Sequence, residues 1–249
     1  MNKTLLIAAA VSAGFAVSSE AASVFWAFQS DSAMNTSQTG PNFNDMATVP
    51  LIAMIAGSDG ASTQYPGTGG ANGFMYNGVT YGGSGGSGTD GRSLQWAVTG
   101  GSGNSLIDSG FTVSNINLTN LQDLTMRFDI RSASGATTPL APTTFKSIEY
   151  SIDGGGNWVN ITGLLTVPDW VGATSSPFSA ENIDFSSIAA IENQSDVSLR
   201  FVFSDGATNP SVNQNIRLDN LLFSAVPEPS AFALIGVFGL ATMARRKRA

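Results

Sequence analysis

The sequence predicts an all-β protein built as an antiparallel β-sandwich, with a short separate segment at each end. Three observations carry this prediction: apolar and polar side chains alternate in several short stretches, Gly-rich runs at 67–73, 82–91 and 100–103 have the composition of loops, and helical periodicity is scarce. Alternation with a period of two places apolar residues on one face of a strand, and Gly-rich segments mark loops and turns. A chain of 249 residues is long enough to bury one substantial core.

Four stretches carry the alternation most clearly, at 124–131, 145–152, 197–203 and 215–224. Each predicts a half-buried strand with a polar outer face. The residues predicted to share an inner face are Leu124, Met126, Phe128 and Ile130; Ile148, Tyr150 and Ile152; Val197, Leu199, Phe201 and Phe203; and Ile216, Leu218 and Leu222. In the last stretch Arg217, Asp219, Leu221 and Phe223 are predicted to lie on the opposite face.

The stretch SIDGGGNW, residues 151–158, predicts a tight hairpin. Asp153 can accept hydrogen bonds from turn N–H groups, the glycines supply positive φ angles, and Trp158 can pack back over the turn. The stretch is similar to the Asp-box of sialidases and related β-propellers. It occurs once and without a blade-length repeat, so it indicates a structural hairpin and neither a propeller nor a sialidase.

Composition excludes several kinds of chemistry. The chain has no His and no Cys, which removes Ser–His–Asp hydrolysis, thiolate nucleophiles, Cys-ligated metals and the usual zinc hydrolases. Its net charge is -7, and Lys3 and the basic residues at 245–248 belong to the terminal segments, so the central part is more acidic still. Such a surface repels phosphate backbones, and we expect no nucleic-acid partner.

The carboxylates do not predict an enzyme. Glycosidases use two carboxyl groups about 5 to 9.5 Å apart. The only glutamates between the terminal segments are Glu149, Glu181 and Glu192, and no pair has the spacing that places two acids on one strand face. We therefore predict no catalytic residue.

The first 22 residues have the pattern of a secretory signal peptide. Lys3 is followed by an apolar stretch from Leu5 to Val17 and then by small residues that suit cleavage. The sequence therefore predicts an exported protein whose sandwich domain spans residues 23–225.

Residues 226–249 form a second segment with three parts. Pro227, Glu228 and Pro229 come first, and an apolar run at 231–244 follows. As a helix this run is about 21 Å long, short for a membrane span of about 20 residues. Arg245, Arg246, Lys247 and Arg248 come next, the kind of flank that holds a helix end in the cytoplasm.

These three parts, in this order, resemble the PEP-CTERM sorting signal of Gram-negative bacteria. The resemblance implies that an exosortase, a membrane protease-transpeptidase, reads the Pro-Glu-Pro tripeptide and removes the tail. It also implies inner-membrane anchoring through the apolar helix before processing. The processed protein would then stay at the cell surface, in the outer envelope or outside the cell.

The later strands, from residue 145 to residue 225, resemble the jelly-roll ectodomains common in PEP-CTERM proteins. Those are similar to carbohydrate-binding modules and concanavalin-like sandwiches. In several such modules an Asp on the last strand helps hold a structural calcium, and Asp219 is the matching residue here. Pairing of Asp219 with an arginine, such as Arg217 or Arg200, is favoured over calcium. No metal and no cofactor are therefore predicted, and Asp219 is a candidate only.

The aromatic residues leave the function open. Trp26, Trp96, Trp158 and Trp170 could stack on sugars or fill the core, and Trp170, in a stretch expected to be an exposed loop, is the candidate sugar contact. The sequence favours a structural or adhesive role in an extracellular polysaccharide matrix. A carbohydrate-binding module with a defined sugar is the alternative, and a glycoside hydrolase is favoured least.

Overall fold

The computed structural model describes residues 21–28, 41–55, 62–68, 74–76, 79–81, 92–98, 106–134, 141–170, 178–204 and 213–228. Within these ranges the chain forms 14 strands and one 3-10 helix, and every strand pairing is antiparallel. The predicted all-β, antiparallel fold class is confirmed.

The strands follow one another from the start of the described chain to its end. They are β1 (Ala22–Trp26), β2 (Phe43–Asn44), β3 (Leu51–Ile55), β4 (Ser62–Thr68), β5 (Phe74–Tyr76), β6 (Val79–Tyr81), β7 (Arg92–Val98), β8 (Gly110–Ile116), β9 (Leu121–Ser134), β10 (Phe145–Ser151), β11 (Val159–Asn160), β12 (Ser179–Asp184), β13 (Val197–Phe203) and β14 (Gln214–Pro227). The 3-10 helix covers Thr162–Leu164.

The strands form two main sheets. The seven-stranded sheet has the order β12-β9-β14-β1-β2, and β7 pairs with the first half of β14 and carries β4 on its other edge. β1 pairs with the second half of β14, so β1 and β7 share one side of that strand. The five-stranded sheet has the order β11-β10-β13-β8-β3, and β5 and β6 form a separate ribbon.

One aromatic-rich core lies between the two sheets. Phe111 and Phe201 of the five-stranded sheet stack with ring centroids 4.6 Å apart. Trp96 of the seven-stranded sheet meets Phe203 edge-on at 5.0 Å, and its indole N–H donates to the Ile55 carbonyl. Because rings from both sheets interlock in one buried cluster, the protein is a β-sandwich.

Two of the four predicted alternations place every residue on the expected face. Leu124, Met126, Phe128 and Ile130 of β9 are buried, as are Val197, Leu199, Phe201 and Phe203 of β13. In β10, Ile148 is buried and Tyr150 packs against the core, but Ile152 is 46% exposed. The prediction for Ile152 is wrong because β10 ends at Ser151 and the hairpin turn begins there.

The predicted faces of β14 are also wrong beyond residue 219. Asp219 pairs with Asp129 and Leu222 with Arg127, so β14 has one more residue than β9 in this interval. Asn220 lies in this β-bulge with a φ of 49°. The extra residue reverses the alternation, so Leu221 and Phe223 join Ile216 and Leu218 in the core, whereas Leu222 lies on the other face.

Candidate functional site

A groove of about 490 Å³ lies on the outer face of the five-stranded sheet. Its position follows from alternation along β10 and β13, because the residues between the core-facing ones point outward. The groove is lined by Ile55, Asp108, Lys146, Ser147, Glu149, Asn160, Arg200 and Val202. It combines two cations, two carboxylates, a hydroxyl and an amide with two apolar side chains.

The charges of the groove are paired with one another. The Lys146 ammonium lies 3.1 Å from a carboxylate oxygen of Asp108, and both side chains are about half exposed. Glu149 and Arg200 face each other in register on β10 and β13, and the Arg200 guanidinium donates through Nε and Nη2 to Oε2 of Glu149. The groove is therefore polar and close to neutral, and its side chains are held in place.

Trp158 supports this arrangement from the side. The centre of the Arg200 guanidinium lies 4.4 Å from the centroid of the Trp158 ring, a cation–π contact. Trp158 closes the predicted hairpin, in which Gly154 and Gly155 have φ angles of 68° and 91°. The hairpin thus holds Arg200 in place through Trp158, and Arg200 in turn holds Glu149 through their ion pair.

Asp153 organises the hairpin as predicted. Its Oδ1 accepts from the Ser151 hydroxyl at 2.6 Å and from the Asn157 backbone N–H at 2.9 Å. The Asn157 side-chain amide donates to its Oδ2 at 2.6 Å. These hydrogen bonds, the one from Ser151 first, lower the pKa of Asp153 to about 2.

The bulge in β14 creates a buried polar cluster on the seven-stranded sheet. The Asn220 amide donates to Oδ2 of Asp129 at 2.7 Å, and the Asn220 backbone N–H donates to Oδ1 of Asp219 at 2.8 Å. Burial raises the pKa of Asp129, although Asn220 and Arg127 act in the opposite direction. Asp219, the candidate calcium residue, is itself buried here.

The described part of the chain contains no group of three or more His, Cys, Asp or Glu side chains able to hold a metal ion. Calcium binding by Asp219 stays a candidate that the structure does not test. Asp219 does have interactions within the protein, and its carboxylate accepts the backbone N–H of Asn220 in the bulge.

Trp170, the candidate sugar contact, is a core residue, so the expectation that it lies in an exposed loop is wrong. It is only 2% exposed, and its indole N–H donates to the Pro142 carbonyl at 3.0 Å. Its ring meets Phe145 edge-on at 5.1 Å. Trp26 and Trp96 are also fully buried, so of the four tryptophans only Trp158 is partly exposed.

The three glutamates lie in different places. Glu149 is in the groove, Glu181 lies on β12 at the edge of the seven-stranded sheet, and Glu192 lies in the turn before β13. The second carboxylate of the groove is Asp108, and a cation holds each of these two groups. This groove could not be predicted from the sequence, because Glu149 and Arg200 are 51 residues apart and become neighbours only when β10 pairs with β13.

The last strand leads directly into the predicted sorting segment. Val226 pairs with Gln122 and Pro227 with Leu121, and the Glu228 backbone N–H donates to the Asn120 carbonyl at 2.9 Å. β1 begins at Ala22 and β14 ends at Pro227, slightly past the predicted domain bounds of 23 and 225.

The rest of both terminal segments lies outside the described residues. This applies to residues 1–20 of the predicted signal peptide, to Pro229, to the apolar run at 231–244 and to Arg245, Arg246, Lys247 and Arg248. Among the residues that the structure does describe, no helix has the length and apolar character needed to cross a membrane.

Solved structures with a similar course of the chain include three of different kinds. The N-terminal cellulose-binding domain of Cellulomonas fimi β-1,4-glucanase C is 15% identical, with a TM-score of 0.32 over 57% of this chain and 84% of that one. The K1 cleaved adhesin domain of Lys-gingipain from Porphyromonas gingivalis W83 is 10% identical, with a TM-score of 0.38 over 81% and 96%. A Stig cyclase from Fischerella sp. TAU is 12% identical, with a TM-score of 0.40 over 84% and 100%.

No curated protein matches the sequence significantly. The family model of the PEP-CTERM protein-sorting motif matches residues 225–248. The chain therefore carries the C-terminal sorting motif of PEP-CTERM proteins, which marks an exported protein that is anchored in the membrane until an exosortase processes it.

Proposed function

We propose that this protein is a structural or adhesive component of the cell envelope or extracellular matrix, and that it binds polysaccharide without cleaving it. The observation that carries the proposal is the sorting motif at 225–248, joined directly to the last strand of the sandwich. An exosortase-type enzyme would cut the protein from its membrane helix. The processed sandwich would then stay at the cell surface, in the outer envelope or in the matrix outside.

The groove supplies the contact with polysaccharide in this proposal. Its two ion pairs balance, so it has no strong preference for a polyanion. Its paired carboxylates and cations, with Ser147 and Asn160, offer donors and acceptors suited to sugar hydroxyls. Because the Lys146 and Asp108 side chains are about half exposed, single contacts would be weak, and attachment would come from many copies on one surface.

The processed protein, purified from a host that contains an exosortase, tests this proposal. We expect it to sediment with polysaccharide from the envelope of the producing cells. Lys146→Gln and Asp108→Asn together should weaken this binding about tenfold, because they remove charge-assisted hydrogen bonds. Leu164→Ala is the matched control, since Leu164 is 67% exposed and outside the groove. Equal binding by the double variant and the wild type would contradict the role of the groove.

A carbohydrate-binding module with one defined sugar is the second candidate, and the same groove would serve it. A glycan array distinguishes the two: the structural role predicts weak and broad binding, and the module predicts one strong ligand. Sustained release of reducing ends that Glu149→Gln or Asp108→Asn abolishes would overturn both in favour of a hydrolase.

A further inference from the structure

We infer that Asn120 and Asn193 restrain the sorting reaction: they hold the first two residues of the Pro-Glu-Pro tripeptide in the folded sheet, and this docking slows its cleavage. The inference rests on the proposed processing by an exosortase-type enzyme. It concerns the sorting junction, by which we mean Val226, Pro227 and Glu228.

The junction is part of the seven-stranded sheet. Pro227 is the last residue of β14 and pairs with Leu121, the first residue of β9. Glu228 follows, and its backbone N–H donates to the Asn120 carbonyl at 2.9 Å. Two of the three residues that the enzyme must read are therefore already bound by the domain that carries them.

The partner side of this contact is itself held in place. Asn193 accepts the Asn120 backbone N–H on its Oδ1 at 2.8 Å, and the Asn193 N–H donates to the Leu121 carbonyl at 3.1 Å. Asn120 and Asn193 have φ angles of 61° and 57°, a region that asparagine adopts more readily than most residues. The Asn193 side chain thus fixes the turn whose carbonyl binds Glu228.

Cleavage needs this contact to open. A processing enzyme grips an extended peptide by its backbone, and in the docked state β9 occupies one edge of the segment. Only residues 229 and 230 separate Glu228 from the apolar run at 231–244, an extended reach of about 7 Å. An enzyme at the membrane therefore meets the tripeptide beside the folded domain. Opening of a strand end is a low-energy local event, and its frequency would limit the rate.

The experiment uses the full chain in a host that contains an exosortase, with processing followed by pulse–chase and intact mass. Asn193→Gly keeps the positive φ and removes the acceptor. It should speed processing about two- to tenfold, the change that loss of one hydrogen bond makes in an opening equilibrium. Asn193→Asp keeps both the acceptor and the backbone conformation, and should process at the wild-type rate.

Asn115→Gly is the matched control. Asn115 also has a positive φ, 60°, but lies in β8 and makes no contact with the junction among the described hydrogen bonds. It should leave the rate unchanged. Thermal melting of each variant separates junction release from general destabilisation, since Asn115→Gly and Asn193→Gly of equal stability should still differ in processing.

An unchanged or slower rate for Asn193→Gly would overturn the inference, because the first would mean that docking has no effect and the second that docking presents the tripeptide. Failure of the wild-type chain to be processed at all would instead contradict the proposed sorting function. Glu228→Ala, which should block processing in every background, shows that the measured cleavage is the sorting reaction.

Discussion

Asp153 holds its hairpin through one ionised carboxylate. The folded protein lowers the pKa of this group from 3.8 to about 2, so the carboxylate contributes stability above its unfolded pKa and loses that contribution as pH falls from about 4 towards 2. The side chain is exposed, but its partners are all local, which fits a turn that the sequence alone could specify.

We therefore expect Asp153→Ala to lower the melting temperature of the processed protein at neutral pH, and the difference from the wild type to shrink between pH 4 and pH 2. Asp153→Asn, which keeps an acceptor without the charge, should fall between the two. Melting curves across this pH range check the prediction. A difference that stays constant down to pH 2 would mean that the charge of Asp153 does not stabilise the turn.

Gly110 allows two strands of the five-stranded sheet to approach each other. A Cβ at this position would lie 1.9 Å from the Phe201 carbonyl oxygen, and the strand backbone cannot move away as a side-chain end could. Gly110→Ala should destabilise the protein by about 2 kcal/mol or more. Gly163→Ala is the control, because a Cβ added there would meet no atom within 4 Å, and it should change stability by less than about 0.5 kcal/mol. Urea unfolding measures both, and equal midpoints would refute the close approach.

At the scale of the elements, β14 decides the architecture. It pairs with β9 along one side and with β7 and then β1 along the other, and its bulge at Asn220 lies where those two partners change over. The bulge turns Leu221 and Phe223 into the core and brings Asn220 to Asp129. One residue therefore sets the packing of half the strand.

Deletion of Asn220 tests this role. It should prevent native folding, because Leu221, Phe223 and Ala225 would all move to the outer face. Asn220→Gly keeps the backbone conformation but removes the donor to Asp129, and should cost about 1–3 kcal/mol. Near-ultraviolet circular dichroism and urea unfolding check both variants. A deletion variant with native stability would show that the strand does not need its bulge.

The sequence predicted those elements whose pattern is local. The predicted alternations at 124–131 and 197–203 run without interruption, and the hairpin at 151–158 carries its own hydrogen-bond partners. The bulge interrupts a similar alternation, and its only signal is Asp219-Asn220, two residues that suit irregular backbone, inside an apolar strand. The burial of Trp170 could not be predicted from its neighbours in the sequence, because the Pro142 carbonyl that accepts its indole N–H lies 28 residues away in the chain.

At the scale of the whole molecule, the protein combines an acidic, Cys-free sandwich with a basic terminal segment. The two parts differ in charge because they suit different sides of the membrane. The basic residues at 245–248 suit the cytoplasmic side, and the acidic domain is exported. The sandwich and the sorting segment are contiguous, since β14 ends within the sorting tripeptide. The last strand of the sandwich therefore ends at the residues that the processing enzyme would recognise.

The intact mass of the protein from a host that contains an exosortase tests the central claim most directly. We expect a mature chain that lacks both the signal peptide and the tail after the sorting tripeptide. Glu228→Ala, or loss of the exosortase, should leave the tail in place. A wild-type protein that keeps its complete C-terminal segment in such a host would contradict the claim that this sandwich is a sorted and processed envelope protein.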